Sequence, residues 1–588
     1  VHPAPVKKST KNTVPIRISK KRHRNVPHTK TSPNRGVIIG DDSHDSFDHH
    51  DIEIGTVLSK LVPDDDRSEI LGAIVNNRCL DLDDIISSEA TISWVDYTSR
   101  DGVLIFRNTA TLILREAIRL HLGDVRVSAG EAISNGTRYN IHSTPTVTKE
   151  DCESIAQIMR DLVARKENIE KVVVPLSEAK RIFSDRGDTN TLKLIQTTRW
   201  RRYLEIIRLG ETVDLKHTPI AQTTGLISPF ELLPEDGGVL LRYPVRREPK
   251  TIEKIIPSPK LRLAYSETQA WLDSLGVRTI GQLNEKVLAG DADRLIRISE
   301  GLLEKKIADV ADQITHHHAK LRVIMIAGPS SAGKTTFSKR LNLQLQINGL
   351  SPVNLSTDDF YVNRDKTPKD DAGEYDFEHL EAIDIDFFNE TLQKVLAGEE
   401  VHTPRYDFVT GSRVDRSKWH SLKLANDQVL VIEGIHALNP RLTEAITSDK
   451  KFGIFINAMT QLCIDDHSRF FTSDTRLLRR MVRDRKFRGY NASQTIAIWP
   501  SVRRGERRWI FPFSESANVL INTAMVHEQG VLRLYAERFL MEIPESDPAY
   551  ATAIRLLTFL DNFVPIFHEA IPDTSIIREF IGGSAFKY

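Results

Sequence analysis

Apolar and polar positions along this chain follow three successive patterns. From about residue 52, apolar residues alternate with polar ones in short stretches separated by tight turns. These include Val57-Leu58, Ala73-Ile74-Val75 before Asn76-Asn77, Leu80-Asp81-Leu82, and Thr91-Ile92-Ser93-Trp94-Val95. Period-two alternation at this spacing predicts a small β-rich module. Over 261–275 and 296–314 the apolar positions recur at helical spacing, after a Pro257-Ser258-Pro259 turn, and predict a helical connector. Beyond residue 321 the pattern changes again. Unbroken apolar runs at 323–327, 353–355, 429–432, 452–456 and 519–521 alternate with helical stretches. That rhythm predicts a parallel sheet covered by helices on both faces, with ligands at the carboxyl ends of its strands.

The first of these runs leads into Gly328-Pro329-Ser330-Ser331-Ala332-Gly333-Lys334-Thr335-Thr336, which fits G-x-x-x-x-G-K-[ST] between a strand and a helix. In that setting backbone N–H groups and the helix N-terminus cradle phosphates, the lysine neutralises the outer ones, and the threonine hydroxyl can hold Mg²⁺. Gly328, Ser330, Ser331, Ala332, Gly333, Lys334, Thr335 and Thr336 are the candidate ATP-binding residues.

Three further clusters fall at strand ends. Asp358 and Asp359 follow the second run, where a carboxylate can accept the proton of an acceptor hydroxyl. Glu433 ends the 429–432 run, where it can hold Mg²⁺, partly through water, together with Thr335. Arg476, Arg480 and Arg483 recur on one helical face and are expected to form a lid that clamps phosphates.

Composition narrows the picture modestly. The 588 residues exceed one core and suggest several domains. With 80 basic and 80 acidic residues there is no global attraction to nucleic acid or membrane, and no apolar run is long enough to span a bilayer. The three cysteines, Cys79, Cys152 and Cys463, make no metal or redox spacing, so a cytoplasmic location is the default. Residues 1–40 hold ten Lys or Arg and no acid, and 41–51 reverse the charge. Together, 1–51 are expected to be a disordered basic/acidic tail, with organellar targeting or a nuclear signal at 20–24 as rivals. His44, His49 and His50 read as a solvated cluster, and His316-His317-His318 as polar side chains at a helix C-terminus.

With these motifs in order, 321–530 resembles the uridine kinase/phosphoribulokinase family. The resemblance implies a P-loop NTPase fold and a cofactor set of ATP and Mg²⁺. It implies Asp358 as catalytic base, Lys334, Arg480 and Arg483 as catalytic cations, and Tyr361, Glu378, Tyr406 and Arg488 as substrate-binding residues. Gly411 stands where uridine kinases carry a histidine that reads the pyrimidine, which leaves the base preference open.

The front of the chain also resembles a known architecture. Residues 52–100 are similar to the TGS domain of threonyl-tRNA synthetases. Residues 101–245, through 107–118 (RNTATLILREAI) and 213–225 (VDLKHTPIAQTTG), are similar to the α+β editing domain of those enzymes. The synthetase pattern places two histidines, a cysteine and a histidine where this chain has Asn108, Leu112, Lys216 and Ile220. Leucine and isoleucine can neither ligate a metal nor move a proton, so the module is expected to be non-catalytic.

The expected division is therefore a tail (1–51), a TGS-like domain (52–100), an editing-like domain (101–245), a connector (246–320), the kinase domain (321–530) and a helical C-terminal extension (531–588). The expected function is transfer of the ATP γ-phosphate to the 5′-hydroxyl of a ribonucleoside, uridine or cytidine first. A kinase of another small alcohol such as a sugar phosphate, and an RNA-binding or regulatory protein with a nucleotide-sensing P-loop, remain open. The expected partners are ATP and a nucleoside, with tRNA contact by the front module and homo-oligomer formation also open.

Overall fold

The computed structural model describes residues 13–19, 47–53, 55–86, 90–198, 200–316, 321–370, 373–444 and 446–587. The chain divides into two compact units. One comprises 1–179, 201–255 and 544–554, and the other comprises 180–200, 256–543 and 555–588.

The first unit is β-rich. Its five-stranded sheet runs in the order Phe47–Glu53, Thr13–Ser19, Thr91–Val95, Gly72–Val75, Arg78–Leu80. Two of these strands lie within or across the end of the segment expected to be a disordered tail. In the first, Val14, Ile16 and Ile18 alternate with period two, and 17–19 pair in parallel with 91–93. The basic run at 20–24 and His44 lie outside the described residues.

The helix Arg100–Leu122 starts at Ser99, whose hydroxyl accepts from the Gly102 amide, and buries an apolar face that includes Ile105, Leu112 and Ile113. A four-stranded sheet follows, in the order Glu231–Glu235, Gly238–Arg242, Gly136–His142, Arg126–Ile133. A second sheet has three strands, Thr212–Leu215, Tyr203–Leu209 and Glu170–Pro175.

The second unit is built on five parallel strands in the order Ser351–Ser356, Gln428–Glu433, Val323–Ala327, Lys451–Asn457, Val519–Asn522. Each apolar run singled out in this half is one of these strands. The middle strand, Val323–Ala327, is buried along its whole length, as continuous apolar character requires of a strand covered on both faces. Phe388, Leu392, Leu430, Ile432 and Phe455 pack in the core beside it. The connector forms helices Pro259–Leu275, Ile280–Leu288 and Ala292–His316. The last is tied to the helix after the P-loop, Lys334–Ile347, through the buried Arg340. Its guanidinium donates to Glu300 at 3.0 Å and to Glu304 at 2.7 and 2.9 Å. His316 donates through Nδ1 to the Asp312 carbonyl at 2.6 Å within its own last turn, while His317 and His318 lie outside the described residues. Among the described residues no helix is long and apolar enough to cross a membrane.

Candidate active site

The phosphate loop is held from behind. A Cβ at Gly328 would lie 2.1 Å from the Ile456 carbonyl, so only glycine allows the loop to leave the sheet this closely. Ser331 and Gly333 both adopt left-handed backbone, with φ of 61° and 87°. Arg476 donates to the Ser330 carbonyl at 3.1 Å, and the Thr523 hydroxyl donates to the Ala332 carbonyl at 2.7 Å. Across a trans peptide the N–H points opposite the C=O, so these two anchors turn the Ser331 and Gly333 N–H groups the other way, into the cradle. Arg479 adds a hydrogen bond to the Ser331 carbonyl at 3.3 Å.

Arg476 therefore differs from its expected role. It lies buried in the helix Thr472–Phe487, paired with the buried Glu506, and braces the loop rather than forming a lid. Arg480 reaches the loop on its open side, where its guanidinium donates to the Ser330 hydroxyl at 2.8 Å. Asp484, one turn on, gathers Arg480, Arg483 and Arg488, at 3.2, 2.9 and 3.7 Å. Burial works against its charge, yet those three cations hold its pKa below the usual carboxylate value. The sequence carries a signal for this: Asp484 stands four residues from both Arg480 and Arg488.

At the ends of the neighbouring strands the carboxylates converge. The Ser356 hydroxyl donates to Glu433 at 3.1 Å and accepts from the Asp358 amide at 3.3 Å, which joins the two acidic residues through one side chain. Asp358 Oδ1 is buried and has no hydrogen bond. Burial, followed by the Asp358 charge, pushes Glu433 up to about 7, while Lys334 is close enough to pull the other way. Gly434 permits this crowding, since a Cβ there would lie 1.7 Å from the Thr357 hydroxyl. A cluster of oxygen donors short of positive charge, Glu433 and Asp358 with the Thr335 hydroxyl at the helix start, has the chemistry that a hard divalent cation such as Mg²⁺ requires.

Glu378 faces the same space. It is buried, its Oε2 has no hydrogen bond, and Arg480 lies 3.9 Å away. Burial pushes its pKa up to about 7, against the pull of Arg480 and Lys334. Beside it Tyr361 donates to the Phe377 carbonyl at 3.1 Å and packs against Tyr406 and Phe408, with ring centroids 5.5 and 5.9 Å away. Arg488 lies over the Phe408 ring at 4.9 Å, and burial lowers its pKa to about 10. Asp359, next to Asp358, accepts from the Tyr406 amide at 3.3 Å and so ties the turn after the strand Ser351–Ser356 to the aromatic cluster. Its pKa is pushed up to about 6, first by burial.

Gly411 sits beneath an arginine. A Cβ there would lie 2.5 Å from Arg364 Nε, and the Arg364 backbone N–H donates to the Gly411 carbonyl at 2.9 Å. The space that a side chain at 411 would enter is thus filled by a guanidinium from the preceding segment.

In the first unit, the positions of the synthetase pattern form a clasp instead of a site. Leu112 and Ile220 are each 1 % exposed. Asn108 donates to the Thr218 hydroxyl at 2.5 Å. Lys216 pairs with the buried Asp81 and, at 2.8 Å, with Glu205. Asp81 also accepts the Ile220 amide at 2.6 Å. Burial opposes the Lys216 charge, but Asp81 outweighs it and raises the pKa.

A phosphate loop at the end of the central parallel strand, Glu433 at the end of the strand beside it, Asp358 after the next strand out, and an arginine helix reaching the loop define a P-loop nucleotide-binding fold. Residues 323–528 match the model of the Phosphoribulokinase / Uridine kinase family. A likeness of fold extends to the structure of a possible uridine kinase from Bacillus stearothermophilus, at 16% identity and a TM-score of 0.25, covering 37% of this chain and 100% of that one. The N-terminal region is similar to threonine–tRNA ligases. The ligase of Magnetococcus marinus is 26% identical over 201 residues, 34% of this chain and 31% of the ligase. That of Granulibacter bethesdensis is 28% identical over 194 residues, 33% of this chain and 30% of the ligase. The chain thus spans less than a third of the length of these relatives.

Proposed function

We propose that the protein is an ATP- and Mg²⁺-dependent kinase that phosphorylates the 5′-hydroxyl of a ribonucleoside, with uridine and cytidine as first candidates. The observation that carries this reading is Asp358: a buried carboxylate oxygen without a partner, at a strand end beside the P-loop, where an acceptor hydroxyl needs a base. In this reading Asp358 takes the hydroxyl proton and aligns its oxygen with the γ-phosphate. Lys334, Arg480 and Arg483 offset the charge that develops on the transferring group. Mg²⁺, held by Thr335 and Glu433, would add further charge stabilisation at the phosphates. Glu378 accepts hydrogen bonds from ribose hydroxyls, and Tyr361, Tyr406 and Arg488 line the acceptor side.

Arg364 supports a base with carbonyl acceptors, because its guanidinium occupies the space of the missing histidine and can donate to a pyrimidine edge. The same cation favours a second reading, a phosphorylated sugar as acceptor. ATP consumption with Mg²⁺, measured against ribonucleosides, deoxyribonucleosides, ribulose 5-phosphate and pantothenate, separates the two. Turnover with uridine or cytidine is expected; turnover with sugar phosphates alone would replace the acceptor and keep the kinase. Silence on every acceptor, combined with saturable tRNA binding by 52–245, would overturn the kinase reading in favour of an RNA-binding regulator.

A further inference from the structure

One carboxylate in the nucleotide site has no place in the chemistry above. Glu579, from the C-terminal helix Arg578–Ile581, accepts through Oε2 from both the backbone N–H and the hydroxyl of Thr336, at 3.2 and 2.8 Å. Thr336 is the third residue of the P-loop helix, and its amide is one of the first-turn donors that face an anion at this end of the loop. A phosphate of a bound nucleotide would compete for the same two hydrogens.

The contact is one part of a fitted segment. Ile576 lies against the last glycine of the loop: a Cβ at Gly333 would be 2.5 Å from Ile576 Cγ2. Ser575 donates to Glu300 at 2.5 Å, on the connector helix that also grips Arg340. The Phe580 ring lies 5.1 Å from the Arg479 guanidinium, the same arginine that anchors the Ser331 carbonyl. Lys486, at the end of the arginine helix, donates to the Ile581 carbonyl at 2.7 Å. Ile576, Ile577, Phe580 and Ile581 are buried. The segment therefore touches the loop, the helix after it and the helix that carries the lid arginines.

Resting on the kinase reading, we propose that Glu579 is a residue of the nucleotide site: its carboxylate occupies the Thr336 donors in the nucleotide-free protein, and the phosphates of an incoming nucleotide displace it and loosen segment 575–583. Two anions cannot share one pair of donors at close range without strong repulsion, so nucleotide affinity is reduced by the work of expelling the carboxylate. The same displacement transmits occupancy of the P-loop to the C-terminal segment, because Ile576 and Glu579 move from a single stretch of chain.

The test is binding of Mg²⁺–ADP to the full chain by calorimetry, for the wild type, Glu579→Gln and Glu579→Ala, together with amide hydrogen exchange of the wild type with and without ADP. Both variants are expected to bind ADP about 5- to 20-fold more tightly, and ADP is expected to speed exchange at 575–583 in the wild type. Unchanged or weaker affinity in folded variants would overturn the proposal. Should the variants fail to fold, the wild-type exchange decides alone, and stronger protection of 575–583 with ADP would overturn it. Binding by neither wild type nor variants would sink the nucleotide reading and this proposal with it, whereas binding by the wild type without gain in the variants would sink only this one.

Discussion

At the scale of single residues, the site combines Asp358, one of whose buried carboxylate oxygens has no hydrogen bond, with two carboxylates whose charges are poorly compensated. Asp358→Asn removes the proton acceptor while keeping its size. kcat is expected to fall by roughly 10²- to 10⁴-fold with ADP affinity nearly unchanged, and steady-state kinetics beside calorimetry would check both. Glu433 makes a separate prediction about pH. Its pKa in the folded protein, about 7, is above its ordinary value, so the folded state binds more protons than the unfolded one between those values. Its stability contribution is present at low pH and is lost as pH rises through about 7. Glu433→Gln should therefore melt higher than the wild type without Mg²⁺ at pH 8, by about 2 °C, with the gap closing toward pH 5. Melting curves across that range would show it, and a constant gap would count against the carboxylate's strain as its source. Much of this scale could be read in the sequence, since Lys334, Thr335, Asp358 and Glu433 stand in motifs at strand ends. Glu579 could not: it lies 243 positions from Thr336, and no spacing rule links a lone glutamate to a loop so far away.

Among the elements, the helix Thr472–Phe487 divides its arginines between two tasks. Its periodicity placed Arg476, Arg480 and Arg483 on one face, and the structure separates them by depth. Arg476 sits where the helix meets the P-loop and finds Glu506 and a backbone carbonyl; Arg480 and Arg483 sit a turn further on, beside Glu378 and Asp484. Pattern gives the face of a helix but not which of its turns is covered, because covering depends on partners distant in sequence. Glu506→Gln would leave the buried Arg476, and the half-buried Arg503 that donates to Glu506 at 2.6 Å, beside an uncharged amide. A loss of about 3 kcal/mol in stability is expected, with a several-fold rise in KM for ATP as the Ser330 carbonyl anchor loosens. Denaturant titration and kinetics test the two parts. A stability loss with KM untouched would separate this brace from the loop. The strand Thr13–Ser19 repeats the lesson from the other side: it lies in a basic, acid-poor stretch, yet carries a short period-two pattern that the sheet uses.

For the molecule as a whole, a region that matches the Phosphoribulokinase / Uridine kinase family model shares its chain with a unit whose likeness is to tRNA ligases. Within that unit Asn108, Leu112, Lys216 and Ile220 were legible in sequence as side chains unlike those of the synthetase pattern, but their arrangement was not. Asp81 comes from the small β-rich module, and nothing in the local pattern around Lys216 points to it. Lys216→Met would leave Asp81 with Lys171, 3.6 Å away, as its remaining cation. The first unit is expected to lose about 2 kcal/mol, read as faster amide exchange at Leu112 and Ile220, while kcat and KM for ATP stay unchanged. A matching fall in turnover would instead tie the state of this unit to catalysis.

The clasp at Asp81 also restricts what mutation can do with this fold. A cysteine at 216 would strip the buried carboxylate of its nearest cation, and a histidine at 220 would push an imidazole into a sealed space. Either change alone therefore costs the unit stability, so side chains are exchanged more freely on its exposed surface than at this clasp.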